Sequence, residues 1–544
     1  MMNNGEKMNI RNKHSNCVSF HSTVENNIKK YVELSEHYSK FYISIPLLKF
    51  DDKNNNLEMR FIYHIENLSS FSHSLTFKLS IDDIKTLSSQ SSEYKKELIN
   101  LLNSLALIEA INYWKLCASK NIFLSFDLSD NELKFYIDVY KKGLSEYCYR
   151  NGLFNDEINF NDSFVNFIPA SKIEDKTSLD LKNIFENNEI YNNLLDDGYV
   201  KVDKFFTITP KLKSNSSRAK YASVMVPVGG GKDSIVSLEL LRNYPNGIYS
   251  FRLNSNQAAK ECENLASIPN DKRLNVIRKI DSKLIEFNNQ SFLNGHIPFS
   301  AILAHIAFVQ AKFKFIKYIA LSNESSANSS YVSGLDVNHQ WSKSYEFENK
   351  FREHALRYFD SEIVYFSLLR PYSELSIAGQ FSKYTEYHKI FRSCNLGSKN
   401  NANSWCANCA KCLFVFIIIS SFISFDEVIS IFGKNLLNDS SLRDDFERLC
   451  GKIPVRPFEC VGESNEVRYA LFVLYSKLSQ NNEDIPLLLC EFISDVKKGL
   501  YDDLCYENEK LRFISDIPKG NLNFHTIPDE FIPYSKQILE EMIF

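Results

Sequence analysis

The segment Val224-Met225-Val226-Pro227-Val228-Gly229-Gly230-Gly231-Lys232-Asp233-Ser234 constrains the fold of this chain more than any other. Glycine is scarce, 17 of 544 residues, less than half the roughly 7% of an average chain. Three in succession therefore mark a place where the backbone needs freedom. An apolar strand, a glycine turn and a helix start, in that order, form a phosphate cradle. Glycines let backbone N–H groups approach an anion, and the helix N-terminus adds a favourable dipole. The loop is not a Walker A motif. That motif needs Ser or Thr directly after Gly-Lys, where Asp233 stands, and a glycine where Val226 stands. Nor is it the G-x-G-x-x-G dinucleotide fingerprint.

Around this loop, strands alternate with helical stretches. Val224 to Val228, Gly247 to Leu253, Leu274 to Ile280, Tyr318 to Leu321 and Ile363 to Leu369 read as strands. Ser234 to Arg242 and Phe299 to Phe315 have helical spacing. The alternation predicts an α/β fold with a parallel sheet and helices on both faces. Upstream the pattern is mixed and predicts an N-terminal α+β domain. Phe41 to Leu48 alternates as a strand that Pro46 would place at a sheet edge, with Met59 to His64 as its partner. Tyr94 to Cys117 has helical spacing, with Leu98, Leu101, Leu102 and Leu105 on one face, and Ile122 to Phe126 reads as a strand. The polar stretch 170–220 carries the boundary, dividing the chain into 1–212 and 213–544. The tail from 430 reads as mostly helical, with breaks at Pro454, Pro457 and Pro486.

Twelve cysteines are too few for a disulfide scaffold in a chain of 544 residues. Four of them, Cys394, Cys406, Cys409 and Cys412, cluster. Three thiols on a tight knuckle plus one from an earlier loop can surround an ion tetrahedrally. Phe416 stands where a ferredoxin-type run would carry its fourth cysteine, so zinc is favoured over an iron–sulfur cluster or reduced structural thiols. Four thiolates close such a site, which makes the metal structural. The N-terminus has no apolar signal segment, and the longest apolar stretch, Cys412 to Phe425, is too short to span a bilayer and reads as a buried helix. The cytoplasm is the expected compartment. A formal net charge of -4 gives no electrostatic case for nucleic-acid binding.

The glycine loop resembles the PP-loop of the ATP pyrophosphatase superfamily, whose pattern is SGGxDS. Gly230, Gly231, Lys232, Asp233 and Ser234 match it, and Gly229 stands where serine is usual. The resemblance implies a HUP-like, adenine nucleotide alpha hydrolase-like domain. It also implies that residues Gly229 to Ser234 bind ATP, that ATP is cleaved between its α- and β-phosphates, and that Asp233 is associated with Mg²⁺. A similar four-cysteine zinc knuckle accompanies this loop in 7-cyano-7-deazaguanine synthases.

Further segments narrow the resemblance. They are Asn112-Tyr113-Trp114-Lys115, Gly143 to Tyr147, Leu321 to Asn328, Val337 to Ser344, Leu369 to Leu375, Phe391 to Cys394, Trp405 to Cys412 and Arg456 to Glu463. In this order they are similar to the MurL-type UDP-N-acetylmuramoyl-L-alanyl-L-glutamate epimerases, over roughly residues 105–475. That similarity implies a UDP-linked muramoyl dipeptide as substrate, an acyl-adenylate, and a product for peptidoglycan synthesis.

Among the remaining residues, Lys232 is placed to meet phosphate charge. Asn323, Glu324 and Ser325 follow the fourth strand, at the carboxyl end where such sheets bind ligands. Arg370 and Arg392 are candidates for the substrate carboxylate or the UDP phosphates, with structural ion pairs as the alternative. His339 is a candidate for proton transfer, against an ordinary hydrogen-bonded histidine and with Glu346 and Glu348 as competitors. Trp341 and Trp405 read as packing residues. Two other readings stay open: another PP-loop adenylating enzyme that modifies a nucleobase or transfer RNA, and a nucleotide-binding module that no longer catalyses. The oligomeric state is left open.

Overall fold

The computed structural model describes residues 26–153, 164–173, 175–208, 222–254, 256–394, 397, 404–521 and 523–540. Twelve of its strands form one sheet. Five form one parallel run: β8 (Val224–Pro227), β9 (Ile248–Leu253), β10 (Arg273–Lys279), β11 (Tyr318–Leu321) and β12 (Val364–Ser367). They are the five strands expected from the alternation, with bounds that agree to within two residues at each end. Their spatial order is β12-β11-β8-β9-β10, so the first strand lies in the middle and the order reverses between β8 and β11. In doubly wound sheets that reversal opens a crevice at the strands' carboxyl ends.

Period-two side chains put helices on both faces. Met225, Ile319, Leu321 and Tyr365 join one core, with the helices Ser92–Trp114, Phe299–Lys314 and Tyr345–Tyr358. Val224, Val226, Tyr318, Ala320 and Phe366 face the other, with the helices Lys232–Leu241, Glu374–Phe381 and Ala410–Ser420. The apolar stretch from Cys412 is a buried helix only as far as Ser420; a turn then separates it from the helix Phe425–Phe432. No helix among the described residues is long and apolar enough to cross a membrane.

The sheet continues into the N-terminal part of the chain. β10 pairs antiparallel with β4 (Ser69–Lys78), which pairs with β3 (Asn56–Ile65), then β1 (Lys40–Ile43), β5 (Asn121–Leu124) and β6 (Asn166–Ile168). The boundary placed at 212/213 lies within 209–221, outside the described residues. A buried ion pair staples the junction of the two parts. Arg278 on β10 donates from Nη2 to Glu109 Oε2 at 2.6 Å and from Nε to Glu109 Oε1 at 2.9 Å. His73 of β4 lies 3.5 Å from the same carboxylate.

Pro46 corrects the edge-strand expectation. β1 and β2 (Leu47–Asp51) both pair with β3, Ile43 opposite Tyr63 and Leu47 opposite Arg60. Four steps on one side answer three on the other, so Ser44 to Pro46 form a bulge inside the sheet. A bulge needs no N–H from proline. The tail is mostly helical as expected, with one exception: β13 (Leu504–Glu507) and β14 (Lys510–Phe513) form a hairpin. Its turn residues Asn508 and Glu509 both have positive φ, the geometry usually signalled by Asn-Gly.

Candidate functional site

The glycine loop leaves β8 at the point of strand reversal and enters the Lys232–Leu241 helix, with Gly231 as its cap residue. Gly230 has a φ of +88° and packs on the start of the helix Gln257–Leu265; a Cβ there would meet Ala258 Cβ at 2.8 Å and Ala259 N at 2.9 Å. Asn256 donates to the Gly229 carbonyl at 3.0 Å and Ser234 Oγ to that of Gly231 at 2.9 Å. The Arg392 N–H donates to the Gly230 carbonyl at 2.8 Å, tying the segment before the knuckle to the loop. Gly230→Ala should therefore destabilise the protein by about 1–2 kcal/mol from left-handed strain alone, with the clash added, as read from a urea midpoint. At Gly229 a Cβ meets nothing within 4 Å, so Gly229→Ser should fold as well as the wild type.

Three carboxylates converge beside the loop from the carboxyl ends of adjacent strands: Asp233 after β8, Glu324 after β11 and Glu374 after β12. One oxygen of each lies within 4.8 Å of the others. Lys232, fully buried, ion-pairs with both Asp233 and Glu374. Burial would raise the Asp233 carboxyl, but Lys232, Lys411 and Lys343 outweigh it and hold it below the usual range. Burial raises Glu374. It also raises Glu466, helped by Glu374, to about 8; Glu466 accepts the Glu374 N–H at 2.7 Å. An all-oxygen donor set of this kind suits a hard divalent cation such as Mg²⁺.

A second cluster adjoins the first. Glu146 accepts from His339 Nδ1, and His296 Nδ1 lies 3.9 Å from the same carboxylate. Burial would lower Lys343, yet the charges of Cys460, Glu324 and Asp233 raise it. Burial would lower His339, yet Cys460 and Glu146 raise it to about 9. Burial would raise the Cys460 thiol, yet Lys343, His339 and Lys411 bring it to about 6. Neither Glu146 nor Cys460 is signalled as a site residue by sequence spacing. They come from segments far apart in the chain, and a solitary cysteine has no pattern.

The four knuckle cysteines come together, each Sγ within 4.8 Å of the others, with Cys406 and Cys409 each 3.5 Å from Cys412. Thiolates bound tetrahedrally to zinc stand about 3.8 Å apart, from Zn–S bonds of about 2.3 Å, so the donor set fits that ion. Gly397 donates to Cys394 Sγ at 3.1 Å.

The other predicted residues fall as follows. Arg370 is buried, with its guanidinium on the Glu348 carboxylate at 2.9 Å and on the carbonyls of Glu324 and Lys343; it braces the loop that carries Glu324. Arg392 lies beside the glycine loop, its Nη1 donating to the Phe391 carbonyl at 2.6 Å. Asn323 donates to Ser367 Oγ at 3.1 Å, and the Ser325 N–H to the Tyr372 carbonyl at 3.0 Å. Glu346 pairs with Lys142 and Lys350 and accepts from Trp341 Nε1 at 3.0 Å. Trp341 packs on Phe347, and Trp405 on Phe391 and Phe432.

Comparison with known proteins gives a consistent family. The MurL N-terminal domain model matches residues 32–184 and 187–368, and the MurL C-terminal domain model matches 390–498. A UDP-N-acetyl-alpha-D-muramoyl-L-alanyl-L-glutamate epimerase of Xanthomonas oryzae pv. oryzae is 30% identical over 407 residues, covering 73% of this chain and 79% of the relative. A protein of the same name from Micromonospora sp. is 32% identical over 381 residues, covering 69% and 74%. Another from Salinispora tropica is 32% identical over 388 residues, covering 71% and 75%. No solved structure matches the chain.

Proposed function

This chain belongs to the MurL family, and from that premise we propose that it converts UDP-MurNAc-L-Ala-L-Glu to UDP-MurNAc-L-Ala-D-Glu through an acyl-adenylate, releasing AMP and pyrophosphate. It is an isomerase, an epimerase of peptidoglycan precursor synthesis, as its relatives are named. The observation that most supports the ATP-dependent route is the convergence of the glycine loop with Asp233, Glu324 and Glu374 at the strand reversal.

The chemistry requires activation. An α-proton beside a free carboxylate is very weakly acidic, because deprotonation piles charge on a group already negative. Conversion to an acyl-AMP removes that charge and supplies a carbonyl to hold the carbanion. The backbone of Gly229 to Gly231, with Lys232 and Ser234, cradles the ATP phosphates, and Arg392 stands by to bind phosphate or the substrate carboxylate. Asn323, Glu324 and Ser325 line the substrate side, and Arg370 serves the site by fixing the Glu324 and Lys343 carbonyls. Positioning the α-carboxylate against the α-phosphate carries most of the adenylation. Asp233, with Glu324 and Glu374, would hold Mg²⁺, which when bound neutralises phosphate charge. His339 takes part in proton transfer. Cys394, Cys406, Cys409 and Cys412 would hold a structural zinc, and metal analysis should find about one zinc per chain. The enzyme works in the cytoplasm on a nucleotide-linked precursor.

Protein incubated with ATP, Mg²⁺ and UDP-MurNAc-L-Ala-L-Glu should release AMP and pyrophosphate in equal amounts. In deuterated water the product should carry deuterium at the glutamate Cα. AMP release without exchange at Cα would remove the epimerase reading and leave an adenylating enzyme. Absence of ATP cleavage would remove both.

A further inference from the structure

We propose that Glu146, His296 and His339 form a binding site for a divalent transition-metal ion of the zinc class. The inference goes beyond the epimerase reading and does not depend on it. One ligand atom of each residue lies within 4.8 Å of the others. Glu146 Oε2 accepts from His339 Nδ1, and His296 Nδ1 lies 3.9 Å from the same oxygen. The two imidazole rings adjoin, with centroids 4.2 Å apart and planes inclined at 42°. Two imidazoles thus converge on one carboxylate oxygen, and only one of them reaches it by a hydrogen bond.

The spacing suits an ion. Around a tetrahedral zinc, N and O ligands at about 2.0–2.2 Å from the metal stand about 3.3–3.5 Å from one another. The 3.9 Å separation of His296 from Glu146 is close to that. The Glu146–His339 contact is tighter because the two groups share a proton. An entering ion displaces that proton to solvent, and the contact opens to the ligand spacing.

The three residues come from distant segments that the fold fastens together. Glu146 stands on the short helix Ser145–Arg150. Ser145 Oγ accepts the N–H of Asn338, the neighbour of His339, at 3.1 Å, and Asn338 Nδ2 donates to the Ala327 carbonyl at 2.9 Å. Before His296, Asn151 Nδ2 donates to the Asn294 carbonyl at 3.0 Å and Lys115 Nζ to Asn294 Oδ1 at 2.7 Å. Gly295 packs so closely on Tyr147 that a Cβ would meet its Cδ2 at 3.0 Å. The chain beside all three ligands is therefore held in place. Arg150 Nε donates to Glu146 Oε1 at 2.5 Å, which fixes the carboxylate and leaves Oε2 toward the imidazoles. Ligating carboxylates ordinarily have such an outer partner.

The donor set decides which ion. Two imidazole nitrogens with one carboxylate suit zinc and its first-row neighbours, whereas Mg²⁺ and Ca²⁺ prefer oxygen alone. The site thereby differs from the three carboxylates beside the glycine loop and from the four thiols of the knuckle. Side-chain exposure rises from 3% at Glu146 to 11% at His339 and 24% at His296, so an ion enters from the His296 side. Three protein ligands leave a fourth position for water. Water bound there is acidified, and His339 would take part in proton transfer through it.

The test is a Co²⁺ titration of the purified full chain, with excess Mg²⁺ to fill the carboxylate set, read by equilibrium dialysis and visible absorption. Wild type should bind about one Co²⁺ per chain with weak d–d bands, and without the intense thiolate-to-cobalt band that exchange into a four-cysteine site gives. His296→Ala and Glu146→Gln should weaken that binding by more than about 100-fold, the upper end of what loss of an outer-shell partner costs, with circular dichroism unchanged. Asp233→Ala should bind as wild type does. Absence of this Co²⁺ from wild type would overturn the proposal. So would equal binding in His296→Ala, whose partly exposed ring makes it the milder change to the fold, or loss of binding in Asp233→Ala, which would put the ion on the carboxylates. The titration needs neither ATP nor a muramoyl substrate, so its failure and that of the epimerase reading are told apart.

Discussion

Asp233→Ala is expected to lower pyrophosphate release by about 10²–10³-fold, the scale at which one preorganised charge-stabilising group acts, while the protein stays folded. Asp233 is the carboxylate of the glycine loop itself, at the first turn of the helix that follows β8. Its loss removes one of the three oxygens gathered there. It does not strand Lys232, which retains the Glu374 carboxylate, so no buried cation is left alone and the fold should hold. The variant separates chemistry from architecture: circular dichroism and the urea midpoint report the fold, and a coupled pyrophosphate assay reports the chemistry. Wild-type turnover in Asp233→Ala would remove this residue from the mechanism. A lost fold would make it a structural residue.

The largest effect on stability is expected at the seam of the sheet. Arg278→Met should destabilise the protein by about 3–5 kcal/mol, the cost of breaking a buried pair by removing one partner. Glu109 is fully buried and owes its lowered pKa, against the raising effect of burial, to Arg278 and His73. With Arg278 gone, the carboxylate keeps the neutral Asn112 amide at 3.1 Å and His73, whose pKa burial lowers. The loss falls where β10 meets β4, so both parts of the sheet should feel it. Pairing the change with Glu109→Gln should recover much of the deficit, because no uncompensated charge then remains. A urea midpoint close to that of wild type for the single variant would show that the seam is held by packing alone.

Much of the parallel half was legible because its signals are local. Alternation of Val224, Met225 and Val226 across two cores is a period-two pattern, and the glycine loop and the knuckle announce themselves by spacing. What was not legible depends on partners distant in sequence. Nothing near Ile277 says that it will pair with Thr76 and extend the sheet into the N-terminal segment. Pro46 signals an interrupted strand, and either an edge or a bulge satisfies that. Asn508 and Glu509 make a hairpin turn without glycine, so a helical tail was the nearer reading. At the site, Arg370 carries the residue type of a carboxylate ligand, but burial commits it to Glu348 and two carbonyls. The Glu146–His339 pair escaped for the same reason as the β10–β4 seam, since a tertiary contact makes it and no spacing encodes it.

The central claim is that the substrate carboxylate attacks the α-phosphate of ATP, and an oxygen label tests it directly. UDP-MurNAc-L-Ala-L-Glu carrying ¹⁸O in the glutamate α-carboxylate is turned over with unlabelled ATP and water, and the AMP is weighed by mass spectrometry. If the acyl-adenylate forms and water opens it at the carbonyl, each AMP carries one ¹⁸O from the substrate. Unlabelled AMP, or ADP and phosphate in its place, would contradict the account.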